Sequence, residues 1–339
     1  MNTLFLIGNG FDLAHGHKTK YADFIYWYLN QIIDFHYLNK HYEDDLIKIP
    51  FGIQTRNLKI TNSSDIKEFN QLFTPAYKHE FIRKIVSQFI EVDWVDIEEE
   101  YYSFLKVAGK VYKSERGYLD AIVSLNKNFD TLKRKLTDYL KFIQGDFTKS
   151  ESLKKIIDKE LIRTLPKALG TKKQNLFLNF NYTNLIKSYM DEDFTINSTL
   201  INIHGELLND KNPIIFGYGA EIDSNYEEIE NLNENKFLDF IKSFGYSLTE
   251  NYRTLMRFID FTEYKVVILG HSCGLSDRVF LNEIFENLNC KEIKIYYHKY
   301  EGGNDFVEKV QNISRHFKKE HKSETRRKIV SFEESVPLI

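Results

Sequence analysis

The sequence predicts an α/β protein: a mostly parallel sheet with helices on both faces, and a large helical region inserted after the first strand. Three observations carry this. A short apolar run, Leu4–Ile7, stops at Gly8-Asn9-Gly10 and gives way to a helical pattern. Apolar runs rich in β-branched residues recur in the second half of the chain, separated by helical stretches. Between Tyr21 and Leu165 almost everything reads as helix.

Taken in order, the strands are expected at Leu4–Ile7, Leu176–Asn179, Leu200–Ile203, Ile214–Phe216, Val266–Leu269 and Ile293–Tyr296. Helical periodicity marks Tyr21–Asp34, Glu80–Val92, Tyr118–Phe142, Leu153–Leu165, Tyr226–Ser243 and Arg278–Leu288. A shorter helix is expected at Asn184–Met190, and Gln54–Asp65 reads as a polar, mobile stretch. The sheet should therefore be built from residues 1–20 and 170–339, with 21–169 as a helical insertion or cap.

Composition narrows the function classes. A chain of 339 residues, 42% hydrophobic and 28% charged, has the make-up of an ordinary globular protein with a substantial core. A net charge of −3 gives no global pull towards nucleic acid or an anionic membrane. Two cysteines, Cys273 and Cys290, exclude a disulfide framework and an all-cysteine zinc site, and they suit a reducing cytoplasm. No stretch approaches the roughly 20 apolar residues of a membrane helix, and the first residues carry no basic leader pattern. A cytoplasmic protein is the expectation.

Several segments could carry chemistry. At Gly8-Asn9-Gly10 a strand feeds a glycine turn and a helix, the arrangement that presents backbone amides to a nucleotide phosphate. Gly8 and Gly10 would allow positive φ and close backbone approach. Leu13 stands where a dinucleotide fingerprint has its third glycine, so on this segment alone a plain turn between two elements is the better reading. In Leu178–Thr183 the sequence LNFNYT puts Asn181, Tyr182 and Thr183 at a strand's carboxyl end, where ligands bind in open α/β sheets. Asn181 suits the orientation of a water or sugar hydroxyl, and helix capping is the alternative. His204-Gly205 ends another strand, and a neutral imidazole there can accept a proton or serve structure alone.

The fourth segment, Gly270-His271-Ser272-Cys273-Gly274, matches the nucleophile elbow of serine hydrolases, with Asp277 or Asp305 and His298 or His316 as partners. Its polar continuation, Asp277-Arg278, argues against a helix packed behind an elbow. Near Trp94, the carboxylates Asp96, Glu99 and Glu100 share a helical face that could hold a divalent cation or form a solvated first turn. Asp96 and Glu98 point apart, so a capping role for Asp96 is the better reading, and a metal-dependent nuclease the remote one. The segment Arg315–Lys328 carries seven Lys/Arg against two Glu and reads as a solvated helix end or a phosphate-binding patch.

Together these segments resemble the AbiH family of bacteriophage abortive-infection proteins. The resemblance rests on GNGFDLAHG, on W-x-D-x-E at Trp94, Asp96 and Glu98, on FNYT at Phe180–Thr183, on His204-Gly205, on GHSCGLSD at Gly270–Asp277 and on ISRHF at Ile313–Phe317. His17-Lys18 departs from the Leu-Pro usual after Gly16. More remotely, the motifs are similar to sirtuin-like Rossmann domains, including NAD-degrading ones, which implies a Rossmann-like (sirtuin-like) sheet. Carried over, Asn181 and His204 become the catalytic pair. Gly8, Asn9, Gly10, Phe11 and Asp12 become the phosphate turn, with Tyr182 and Thr183 beside it, and Gly270, His271, Ser272 and Asp277 the late nucleotide loop. Asp12 replaces the sirtuin serine, a departure that sets a carboxylate near the ligand. The resemblance implies a phage-defence effector that cleaves the N-glycosidic bond of NAD or a related nucleotide without a metal. Its implied partners are that nucleotide, a defence-partner or phage protein and a second copy in a homo-oligomer. The other readings are a non-catalytic nucleotide sensor and a serine hydrolase. Two cysteines cannot build the zinc module of a sirtuin deacylase.

Overall fold

The structure, a computed structural model, describes residues 1–51, 58–114, 119–145, 148–161, 173–190, 197–219 and 224–338. Two compact units divide the chain. One comprises Met1–His17, Gln144–Ile215 and Lys242–Ile339; the other comprises Lys18–Ile143 and Phe216–Ile241. The sequence pattern sets the helical region at 21–169, whereas the second unit leaves the chain at Ile143 and regains it at Phe216.

The first unit is built on five parallel strands, β1 (Asn2–Ile7), β2 (Asn175–Asn179), β3 (Ser198–Asn202), β4 (Tyr264–Leu269) and β5 (Cys290–Tyr296). Their order is β3-β2-β1-β4-β5, every neighbouring pair parallel, which makes the sheet Rossmann-like. Every residue of β1 and β2 is buried, because helices cover both faces. Alternate side chains therefore feed two cores. Leu4, Leu6, Leu178, Val266 and Ile268 pack with Leu255, Ile259, Phe280, Ile284 and Ile313. Phe5, Ile7, Phe177 and Leu269 pack with Leu153, Ile157, Leu185 and Tyr189, and the Phe5 and Phe177 rings stack at 4.4 Å. Each such burial contributes about 1.5–3 kcal/mol.

One buried carboxylate fastens a helix to this sheet. Glu160 ends the helix Glu151–Glu160 and accepts from Lys265 Nζ (2.5 Å), Lys294 Nζ (2.7 Å) and the Tyr296 hydroxyl (2.7 Å). Burial pushes its carboxyl up, but the three donors together hold it down at about 2.

The order of the sheet reverses between β1 and β4, and there two turns interlock backbone to backbone. Gly8 N–H donates to Leu269 O (3.1 Å) and Gly10 N–H to Gly270 O (2.9 Å). A Cβ on Gly8 would lie 2.4 Å from His271 Cα, and one on Gly10 2.8 Å from Gly270 O. Gly270, at φ +74°, is the left-handed residue of the pair; Gly8 is extended at φ −121° and Gly10 lies in the helix Asn9–Leu13. The glycines of the first turn are therefore needed for space against the second turn, and not for the positive φ expected from sequence.

The second unit is mainly helical, with helices at Tyr21–Asn39, Ser63–Phe73, Glu80–Val92, Ile97–Ser114, Leu119–Ile143 and Ser224–Glu230. Its core is aromatic: Phe129 stacks on Tyr101 (4.1 Å) and Phe216 (4.8 Å) and meets Phe240 edge-on (5.0 Å). Those contacts bring the returning segment Phe216–Ile241 into the unit. A small antiparallel sheet of Tyr42–Glu43, Ile47–Ile49 and Ala76–Tyr77, absent from the sequence reading, lies in the region expected to be wholly helical. The polar stretch 54–65 is not all loop: a helix begins at Ser63, capped by Asn62, while 54–57 lie outside the described residues. Asp96 caps Ile97–Ser114 through the amides of Glu98 and Glu99, both at 3.0 Å.

Several expected elements differ. Ile214–Phe216 is an extended loop and not a strand: Pro213 precedes it, and Ile215 N–H bonds the carbonyl of His204 (2.9 Å) in place of a sheet neighbour. The expected helix Tyr226–Ser243 breaks into Ser224–Glu230, Asn235–Phe237 and Lys242–Tyr246, with Asn233 at φ 52° ending the first piece. Asn184–Met190 tightens to a 3₁₀ turn at Leu185–Tyr189. The helix from Leu153 ends at Glu160, and 162–165 lie outside the described residues.

The interlocked turns make Gly270→Ala a severe substitution. Its Cβ would sit 2.1 Å from the amide nitrogen of Phe11, at a positive φ. A loss of at least about 3 kcal/mol is expected by denaturant unfolding; a variant within about 0.5 kcal/mol of wild type would show that the turns do not pack this way.

Candidate functional site

The carboxyl ends of β1, β2, β3 and β4 bring together Gly8–Asp12, Phe180–Thr183, His204-Gly205 and Gly270–Asp277. Two buried polar clusters result, joined through Phe180.

The first cluster centres on Asp12, which is 1% exposed. Its Oδ1 accepts from Asn181 Nδ2 (2.9 Å) and its Oδ2 from Thr183 Oγ1 (2.5 Å). Asn181 Nδ2 also donates to Gly8 O (3.1 Å), tying β2 to the first turn. Burial pushes the Asp12 carboxyl up to about 6, against the lowering pull of Thr183 and Asn181. Asn179 braces the motif from below: it donates to Thr183 O (2.9 Å) and Asn202 Oδ1 (2.9 Å) and accepts from Asn181 N–H (3.1 Å).

The second cluster centres on Asp277. Its Oδ1 lies 3.1 Å from Lys242 Nζ and 3.1 Å from His204 Nε2, and its Oδ2 lies 3.5 Å from His271 Nε2. Burial would raise the Asp277 carboxyl, but the Lys242 ammonium beside it holds it well below the usual carboxylate range. His204 Nδ1 faces the carbonyl of Phe180 at 3.2 Å, and a carbonyl can only accept, so Nδ1 carries the hydrogen. Nε2 of the neutral ring then presents a lone pair. It faces Asp277 Oδ1 without a hydrogen bond, an apposition of two acceptors that becomes favourable once Nε2 takes a proton. Burial and Lys242 lower the His204 pKa, with Asp277 opposing them.

Phe180 joins the clusters. Its ring stands 5.3 Å from that of His204 and 4.2 Å from that of His271, and its neighbour Asn181 belongs to the Asp12 group.

The late loop is held from outside the sheet by one helix, Phe306–His316. Lys309 Nζ donates to His271 O (3.0 Å), Asn312 Nδ2 to Ser272 O (2.9 Å) and His316 Nε2 to Cys273 O (2.9 Å). Three successive carbonyls are thus fixed by residues on one helical face. Cys273, at φ 56°, turns the loop, and its N–H donates to His271 Nδ1 (2.9 Å), which orients that ring toward Asp277. His316 is fully buried; burial lowers it to about 4, so it stays neutral and donates through Nε2.

Among the residues singled out from sequence, Asn181, Thr183 and Asp12 share one cluster, and His204, His271 and Asp277 the other. Gly8, Gly10 and Gly270 form the interlock. Phe11 is wholly buried, against His15 and Tyr189, and Tyr182 bonds the carbonyl of Ile215 (3.3 Å). Asn9 and Ser272 are exposed. The amides of Gly8, Gly10 and Phe11 all bond protein carbonyls, where a dinucleotide turn would leave them to phosphate. Lys242, Lys309, Asn312 and Phe180 were missed. In sequence, Phe180 looks like part of an apolar run and Lys309 like a surface-helix residue, and His316 stood out only as a possible hydrolase base and within ISRHF.

The chain matches the family described as "Bacteriophage abortive infection AbiH" over residues 4–299. It belongs to the AbiH family. Both polar clusters of this AbiH chain fall inside the matched span, whereas the helix residues that hold the late loop fall beyond it, ISRHF included. No curated protein matches the chain.

The alternative chemistries find little in the geometry. Ser272 Oγ has no acid-base partner among the described residues: His271 Nε2 faces Asp277, and His316 Nε2 is taken by Cys273 O. In the second unit Glu98 accepts from Gly217 N–H (3.0 Å) and Glu100 from Gln88 Nε2 (2.9 Å), so the acidic face is divided between separate partners. No group of three or more His, Cys, Asp and Glu among the described residues is placed to hold a metal ion. Within the basic segment, Lys328 Nζ bonds Phe285 O (2.8 Å) and Asn287 O (3.1 Å) at the end of the helix Arg278–Glu286.

Asp12 gives this unit a particular pH dependence. Its raised pKa means that the folded state keeps the proton longer than the unfolded chain. That contribution is fully present below pH 3.8 and is lost as pH rises through about 6; the loss reaches about 3 kcal/mol. Asp12→Asn should therefore be more stable than wild type at about pH 7.5, with the gap closing by about pH 4. Unfolding curves whose difference does not change with pH would contradict the raised pKa.

Proposed function

We propose that this AbiH chain is an abortive-infection effector whose Rossmann-like unit binds NAD or a related nucleotide at the carboxyl edge of its sheet and hydrolyses the N-glycosidic bond. The family carries the phage-defence role. The observation that carries the chemistry is the tautomer of His204: with Nδ1–H held by the Phe180 carbonyl, Nε2 is left as a proton acceptor beside Asp277. The convergence of Asp12, Asn181, Thr183 and His204 at the carboxyl ends of the strands supports the location, since open α/β sheets bind ligands at that edge.

In the reaction, the bond between ribose C1′ and the nicotinamide nitrogen breaks with both electrons going to the nitrogen. Nicotinamide leaves neutral and the ribose becomes oxocarbenium-like. Water adds to C1′ and gives its proton to His204 Nε2, where the Asp277 carboxylate stabilises the imidazolium. Asn181 orients the water or a ribose hydroxyl. No metal is required, and the nucleotide is that of the cytoplasm. Among the described residues no helix is long and apolar enough to cross a membrane.

A second reading, a nucleotide sensor that triggers a partner, is favoured by the satisfied amides of the first turn. A phosphate could reach them only if the interlock with Gly270 opened, and such opening is what a sensor would transmit.

Turnover of NAD by the purified protein separates the readings. Wild type is expected to release nicotinamide, with His204→Ala and Asn181→Ala each reduced by about 100-fold or more while still folded. Binding of NAD without release would favour the sensor, and neither binding nor release would overturn the nucleotide reading.

A further inference from the structure

We propose that Asp12 is a positioning residue that fixes the Asn181 amide with its oxygen toward the ligand, so that the site takes a hydrogen-bond donor at that point. The two groups that Asn181 Nδ2 meets, Gly8 O and Asp12 Oδ1, are both pure acceptors, so the atom between them must be the nitrogen. Both amide hydrogens are thereby used. Asn181 Oδ1, by contrast, accepts no hydrogen bond from any described residue. The carboxylate cannot swing away, because Thr183 Oγ1 holds its other oxygen at 2.5 Å.

A position that offers only an acceptor, backed by a carboxylate, selects a hydroxyl or water and repels a phosphate oxygen. Resting on the nucleotide reading, this assigns the site beside Asn181 to the pentose, with the pyrophosphate elsewhere. It also explains why an acidic residue is tolerated at position 12. Its role is to accept from Asn181, and a charge is not required for that: the amide introduced by Asp12→Asn could accept from Asn181 and donate to Thr183 Oγ1.

The test uses the full chain carrying ¹⁵N-labelled asparagine. The Asn181 side-chain amide is identified by its loss in Asn181→Ala, and its hydrogen exchange is followed in wild type, Asp12→Asn and Asp12→Ala. Slow exchange is expected in wild type and Asp12→Asn, and exchange faster by about tenfold or more in Asp12→Ala. If Asp12→Ala does not fold, Thr183→Val, which frees one carboxylate oxygen, should show the same change more weakly. NAD affinity should fall by about tenfold in Asp12→Ala and in Asn181→Ala, with no further loss in the double variant and near-full affinity in Asp12→Asn. Unchanged Asn181 exchange in the folded Asp12→Ala protein, or losses in affinity that simply add, would overturn the positioning role. If NAD does not bind wild type, the nucleotide reading fails, while the exchange rates alone still decide the role of Asp12.

Discussion

Two glycine turns touching backbone to backbone set the geometry of this unit. The turn after β1 and the turn after β4 approach so closely that Gly8, Gly10 and Gly270 leave no room for a Cβ. This contact sits where the strand order reverses, the place at which a Rossmann-like sheet ordinarily opens a crevice. Closing it has two consequences. The amides of Gly8, Gly10 and Phe11 are spent within the protein, and the helix anchored beside the interlock holds Asp12 against the end of β2.

Buried charge then has to be balanced, since an uncompensated ion in such surroundings costs several kcal/mol. The two clusters solve this differently. Asp277 is matched by Lys242, with His204 and His271 completing its surroundings, and stays ionised. Asp12 has only neutral donors and is held near the middle of the pH range. The Phe180 ring packs on His204 and His271 of the second cluster, while its neighbour Asn181 belongs to the first. The helix Phe306–His316 keeps the arrangement fixed by holding the carbonyls of His271, Ser272 and Cys273.

Much of this was legible in the sequence. The end of β1 at Gly8 and the helix Glu80–Val92 follow from local pattern, because buried parallel strands are continuous apolar runs and amphipathic helices repeat every turn. Asn181 and His204 fall at strand ends because each follows a short apolar run directly. What could not be read depends on contacts distant in the chain. Lys242 looks like the polar end of a helix until Asp277, 35 residues on, folds against it. Glu160 becomes a tie only when Lys265 and Lys294 stand side by side on β4 and β5. The strands of two or three residues near Tyr42 and Ala76 are too short to show alternation. Pro213 keeps the β-branched run Ile214-Ile215 out of the sheet. The first glycine turn looks built for positive φ, since its need for space becomes visible only with its partner turn in place.

The state of His204 is the point on which the proposed chemistry turns. Nitrogen NMR of ¹⁵N-histidine-labelled protein, with the His204 signals identified by their loss in a His204→Gln variant, reads that state directly. At about pH 7.5 the ring should be neutral, with hydrogen on Nδ1 and Nε2 bare, as the Phe180 carbonyl requires. A ring protonated at Nε2, as the other tautomer or as the imidazolium, would contradict the assignment of His204 as proton acceptor.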